Sequence, residues 1–172
     1  QTLAGQIGSV YSTAEGAVSQ KLGSLQSDAV QSFRQRQAQR LEAFASGVRS
    51  ELDAFKERRY SGLRGKARRL RDWILSMYER NRNQYLADID AMLVEIKESI
   101  QRTIDECKQT LTDAKAEIER LVAANKGKLD SDAQAALDRS MKQFARMEAR
   151  IEATRKAALS ALDRERERAI QE

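Results

Sequence analysis

The 172-residue chain carries 31 Lys and Arg against 26 Asp and Glu, a net charge of +5, with no proline, no histidine and one cysteine. Its charged fraction of 33% exceeds the usual ~25%, and its hydrophobic fraction of 41% falls below the usual ~45–50%, as narrow helical seams require. Average usage would supply roughly 8 or 9 prolines in this length. Their absence leaves long helices uninterrupted, since one interior proline costs about 3 kcal/mol.

Without histidine there is no Ser-His-Asp or Cys-His nucleophile, no histidine base and no HExxH zinc site. One cysteine closes no internal disulfide and forms no CxxC pair. Neither phosphate-loop glycine pattern, GxxxxGK(S/T) or GxGxxG, occurs. The acids are interleaved with lysines and arginines at helical spacing, the pattern of a solvated face. The chain therefore reads as non-enzymatic, with no catalytic, cofactor-binding or metal-binding residue expected. No run of about 18 apolar residues spans a bilayer, and the first residues lack the basic start and apolar core of a signal peptide. Beginning at Gln1 rather than methionine, the chain is expected to be a piece of a longer protein.

Apolar spacing predicts helix throughout. A first long helix is expected over 1–60, on Leu3, Ile7, Val10, Ala14, Ala17, Val18, Leu22, Leu25 and Ala29, then Leu41, Phe44, Val48, Leu52 and Phe55. Gly5, Gly8, Gly16 and Gly23 weaken its start by about 1 kcal/mol each against alanine, or let another backbone approach closely. Gly62 and Gly65 place a turn at 61–65. A second helix follows over 66–124. Its seam is Leu70, Trp73, Ile74, Met77, Tyr85, Ile89, Leu93, Ile96, Ile100, Ile104, Cys107, Leu111, Ala114, Ile118 and Leu121. These steps read as a heptad repeat with one stutter. The Trp73, Tyr78 and Tyr85 rings are expected to thicken the core near one end, and Cys107 to act as a small buried hydrophobe.

A second turn is expected over 125–131, with Gly127 ending the helix before it. Ser131 and Gln134 match a capping box, with Asp132 at the positive helix end. The third helix, 132–172, uses Leu137, Met141, Phe144, Met147, Ile151, Ala158, Leu162 and Ala169. Nothing after Asp163 signals a stop, so this helix is expected to continue in the parent protein. At 1.5 Å per residue the second helix reaches roughly 85–90 Å. The fold expected is all-α, an elongated antiparallel three-helix bundle or coiled-coil-like rod; a single extended coiled coil broken at the glycines is the alternative.

Charge is unevenly spread. Residues 31–90 hold 14 basic and 8 acidic side chains, whereas residues 91–172 balance at 16 and 16, so the surplus is local. Its centre is Lys56, Arg58, Arg59, Arg64, Lys66, Arg68, Arg69 and Arg71, eight cations against Glu57 alone, flanked by Tyr60 and Trp73. Such a patch suits an anionic partner. A protein partner or self-association ranks first, an anionic membrane second and nucleic acid third, because no nucleic-acid motif accompanies the cations. No small-molecule substrate or cofactor is expected.

One resemblance involves Ile104-Asp105, Leu111, Ala114, Glu117-Ile118, Leu121-Val122-Ala123, Gly127-Lys128-Leu129, Phe144, Met147-Glu148, Ile151 and Ala158-Leu159. This stretch resembles helical regions of large proteins associated with bacterial extracellular contractile injection systems, which are phage-tail-like particles. The resemblance implies a spacer, packing or delivery segment of a cargo-, toxin- or particle-associated protein, resident in the bacterial cytoplasm before particle loading or release. The basic turn would then dock on an acidic surface such as a tube lumen. Many such proteins also carry an HExxH metallopeptidase, an activity that a histidine-free chain does not inherit. A pore-forming or lipid-binding bundle is the alternative, and nucleic-acid binding through the basic turn a second one.

Overall fold

The computed structural model describes the backbone of residues 2–59 and 67–171, and the side chains of 2–55 and 71–171. The protein is an all-α helical bundle of three long helices: α1 (Leu3–Arg59), α2 (Ala67–Ala124) and α3 (Ser131–Gln171), with a short 3-10 turn at Lys126–Lys128 before α3. The turn expected at 61–65 lies outside the described residues.

Burial follows an unbroken eleven-residue period in α1, whereas in α2 the expected seam is buried at every position from Ile89 to Ile118. In α1, Leu3, Ala14 and Leu25 recur eleven apart, as do Ile7, Val18 and Ala29, and Tyr11, Leu22 and Phe33; all nine are buried. In α3 the same spacing links Ala136, Met147, Ala158 and Ala169, and also Ser140, Ile151 and Leu162. In α2 it links Tyr85, Ile96, Cys107 and Ile118, and also Ile89, Ile100 and Leu111. The 4-4-3 interval is thus the rule in α1, while in α2 it gives way to heptad steps at Ile104, Cys107, Leu111, Ala114 and Ile118. Eleven residues in three turns average 3.67 per turn, close to the helix's own 3.6.

This period corrects several seam positions. Tyr11 is buried, while Val10 is half-buried and Ala17 exposed. In α3, Ser140 is buried where Met141 was expected, and Met141 is 51% exposed. Leu137 is half-buried beside buried Ala136. Gly8, Gly16 and Gly23 do not serve close helix approach: a Cβ at any of them would meet nothing within 4 Å. Packing of the nine buried side chains sustains this stretch instead.

The chain forms two compact units. The first comprises residues 1–30 and 97–161. There the Tyr11 ring sits edge-on to Phe144, centroids 5.1 Å apart, and Lys115 Nζ lies 5.7 Å from the Phe144 centroid. Lys21 pairs with Glu106 at 2.8 Å, Arg150 Nη1 donates to Ser19 Oγ at 2.8 Å, and Lys115 pairs with Glu148. These contacts run α1 parallel to α3 and set α2 antiparallel to both. The second unit comprises 31–96 and 162–172, around Phe33, Tyr85, Ile89, Met92, Leu93, Leu162 and Ala169.

Helix ends also depart from expectation. Asn125, not Gly127, closes α2: its Nδ2 donates to the Leu121 carbonyl at 2.8 Å, and Gly127 lies within the 3-10 turn without a left-handed φ. The N-cap of α3 is Asp130. Its Oδ1 accepts from Ala133 N at 2.8 Å, and its carbonyl accepts the first helical bond, from Gln134 N, at 3.0 Å. Ser131 is the first helical residue, and Gln134 Nε2 donates forward to Asp138 instead of back to a cap. Aspartate caps as well as serine, and its charge gains from the positive helix end. At α1, Thr2 Oγ1 accepts from Gly5 N at 3.1 Å, a cap that the sequence reading missed.

Phe144→Ala is expected to cost about 3–5 kcal/mol by cavity formation, whereas Met141→Ala should change stability by less than about 0.5 kcal/mol. Chemical denaturation of the two variants checks the placement of Met141, whose truncation would cost about 2–5 kcal/mol if it stood in the core as its apolar spacing suggests. Gly16→Ala and Gly23→Ala should each stabilise by about 0.5–1 kcal/mol. Gly47→Ala should stabilise less than either, since its Cβ would stand 3.0 Å from Asn81 Oδ1. Asn81 cannot easily yield, because its Nδ2 is held by the Met77 carbonyl and Glu51. Thermal melts of the three variants distinguish these cases.

Candidate functional site

Of the eight cations singled out from sequence, the structure describes the side chain of Arg71 alone, which is exposed on α2. The side chains of Lys56, Arg58, Arg59, Arg64, Lys66, Arg68 and Arg69 lie outside the described residues, as does Tyr60. What the structure does bring together is a neighbouring apolar face within the second unit.

That face lies along α1 and α2. Tyr85 is buried against the end of α3, its hydroxyl donating to the Ala169 carbonyl at 3.3 Å and accepting from Gln37 Nε2 at 3.4 Å. α3 ends at Gln171, but α1 and α2 run on together, antiparallel, through an aromatic ladder. Phe44 meets Tyr85 at 5.9 Å and Tyr78 edge-on at 5.7 Å, and Phe55 stacks on Trp73 at 4.2 Å with 19° between the rings. Two helices bury one seam between them and leave the side where a third would lie uncovered. Leu41, Ile74, Tyr78 and Leu75 accordingly remain 36%, 37%, 47% and 52% exposed. Trp73, Phe44, Val48 and Phe55 are half-buried. A cleft of about 240 Å³ opens at the foot of this face, lined by Leu41, Phe44, Tyr78, Arg82, Leu86 and Ile170. Tyr78 and Ile74 were expected in the core and are 47% and 37% exposed.

Below this face, charge pairs lock α3 to both neighbours. Arg34 makes a two-pronged contact with Glu165, Nε at 3.1 Å and Nη2 at 2.8 Å, while Arg166 Nε reaches Asp90 at 2.8 Å. Arg36 pairs with Glu95. The Arg34 hydrogen bonds hold the Glu165 carboxyl below its ordinary range, and Arg155, three residues on, does the same for Glu152. In the first unit, burial raises the pKa of the Cys107 thiol, so this cysteine is an inert packing group at neutral pH, as expected.

Among the described residues no group of three or more acids and cysteines stands close enough to hold a metal ion. No helix among them is long and apolar enough to cross a membrane. An opening of about 830 Å³ lies between the starts of α1 and α3, lined by residues including Gln6, Lys128 and Asp132. Thr2 and Asp130 already occupy helix-end amides there. No family model, no curated protein and no solved structure matches this chain.

Because the Glu165 pKa is lowered in the folded state, its stabilisation is complete above the ordinary glutamate value of about 4.3 and is lost as pH falls through the depressed folded value. Glu165→Gln should therefore lower the melting temperature at pH 7, and the gap from the unmodified chain should close as the pH is taken well below about 4. Melting curves across this range test the assignment.

Proposed function

We propose that this chain is a non-enzymatic helical interaction module, a segment of a larger cargo-, toxin- or particle-associated bacterial protein that acts as a spacer or packing element. The reading is supported by the uncovered α1–α2 face of Leu41, Ile74, Leu75 and Tyr78, an apolar surface suited to protein contact rather than to chemistry. The cations of residues 56–71 adjoin this stretch in sequence and supply attraction for an acidic partner surface. In this reading the protein resides in the bacterial cytoplasm until particles are loaded or released. A membrane-active bundle is the second reading, favoured by the run of exposed Ile74, Leu75 and Tyr78 beside a half-buried Trp73.

Co-sedimentation with purified phage-tail-like contractile particles tests the first reading. The unmodified chain should pellet with the particles. Replacing Arg64, Lys66, Arg68, Arg69 and Arg71 together by glutamate should reduce the pelleted fraction at least tenfold. A chain that never pellets overturns the module reading, and undiminished pelleting of the charge-reversed variant overturns docking through the cations.

A further inference from the structure

We infer that the flank of α3 beside α1 in the first unit is a docking strip for a helix of an acidic partner protein, with Arg139, Lys142, Arg146 and Arg150 as its contacts. The strip shares no residue with the cation-rich stretch 56–71 or with the α1–α2 face of the second unit, so the inference stands apart from both.

The four cations recur at steps of three, four and four. At 100° and 1.5 Å per residue, these steps gather them into an arc of about 80° and spread them over about 16 Å. All four are exposed. Arg150 Nη1 donates to Ser19 Oγ of α1 at 2.8 Å, which fixes the flank on which the row lies. Burial and then Glu15 push the Tyr11 hydroxyl pKa up and Arg146 opposes them, so this arginine also stands beside α1.

Elsewhere the helices of this protein are joined by cation–carboxylate pairs: Lys21 with Glu106, Lys115 with Glu148, Arg34 with Glu165 and Arg166 with Asp90. Among the described residues no carboxylate pairs with Arg139, Lys142, Arg146 or Arg150. Residues 2–27 of α1 supply a single acid, Glu15. The nearby acids of α3 are engaged: Glu148 reaches Lys115 of α2, and Asp138 accepts from Gln134. Like charges three and four residues apart disfavour a helix, so the row gains only when a row of opposite sign approaches.

The spacing then selects the partner. Carboxylates at steps of three and four on a second helix rise by the same amounts as these cations, so the two rows meet in register along the whole strip. Ala135, Ala153 and Ala157 continue the arc at its two ends and are exposed, so no bulky side chain there holds a second helix away. The arc offers no aromatic ring on which a base could stack and no apolar wedge for a bilayer, which sets nucleic acid and lipid behind an acidic helix.

Fluorescence anisotropy with a labelled alanine-based helical peptide, its glutamates at steps of three, four and four, tests the strip. A second peptide of the same composition has its glutamates scattered around the helix. The first peptide should bind at least tenfold more tightly than the second, and its binding should weaken as salt is raised. Arg139→Glu/Arg146→Glu should keep its helicity by circular dichroism and lose at least tenfold in affinity for the first peptide. Arg102→Glu/Arg120→Glu, the same charge change on α2, should bind it within about twofold of the unmodified chain. Equal binding of the two peptides overturns the inference, and so does an equal loss in the two double variants. Tighter binding of duplex DNA or phosphatidylserine vesicles than of the first peptide, lost in Arg139→Glu/Arg146→Glu, also overturns it, in favour of that other partner. No particle enters this experiment, so its failure leaves pelleting with contractile particles as a separate result.

Discussion

The eleven-residue spacing of buried side chains is the constraint on which the other features depend. A strict heptad lags an ideal helix by about 20° every seven residues, and helices must coil around one another to compensate. The 4-4-3 spacing of Leu3, Ile7, Tyr11, Ala14 and their successors advances by about 20° every eleven, a smaller drift of opposite sign. Helices with this spacing keep one face inward over many turns with little coiling. All remaining positions are then free to be polar, which is how a chain that is one-third charged still closes a core. The Tyr11 and Phe144 rings meet edge-on within this seam.

Charge refines what this spacing allows. Glu165 and Arg166 are neighbours on α3, yet they reach opposite ways, one to α1 through Arg34 and the other to α2 through Asp90. Alternating signs along the last turns of α3 thus secure both flanks of one helix. Exposed pairs of this kind contribute little energy individually. Their value lies in register, since a shift of α3 by one residue would set Arg164 against Arg34 and Glu165 against Asp90.

Much of the fold was legible in the sequence because no proline interrupts it and because steps of three and four persist throughout. Those steps are locally identical in seven- and eleven-residue repeats, so the longer period appears only when burial is followed over several turns. Hydrophobicity then misled at 140 and 141: methionine is the more apolar residue, but the register puts Ser140 inside. At the entry to α3, Asp130 and Ser131 are both competent caps, and only the backbone path decides between them. Gly127 was read as a helix stop from its residue type, whereas the Asn125 side chain satisfies the α2 carbonyl. The candidate face was the least legible. Leu41, Ile74 and Tyr78 look like core residues in any one-dimensional reading, because apolar spacing does not say which neighbours cover a helix face.

The stacking of Phe55 on Trp73 has an optical consequence. Trp73 is the sole tryptophan, so all indole emission originates where α2 packs on α1 in the second unit. Peptide ellipticity, by contrast, is summed over every helix. As the chain is warmed, emission senses parting of the paired helices near the aromatic ladder, while ellipticity senses loss of the three-stranded packing around Phe144 and Ile104. The two signals are thus separate thermometers for two regions of one molecule, and their difference measures how far one region melts ahead of the other.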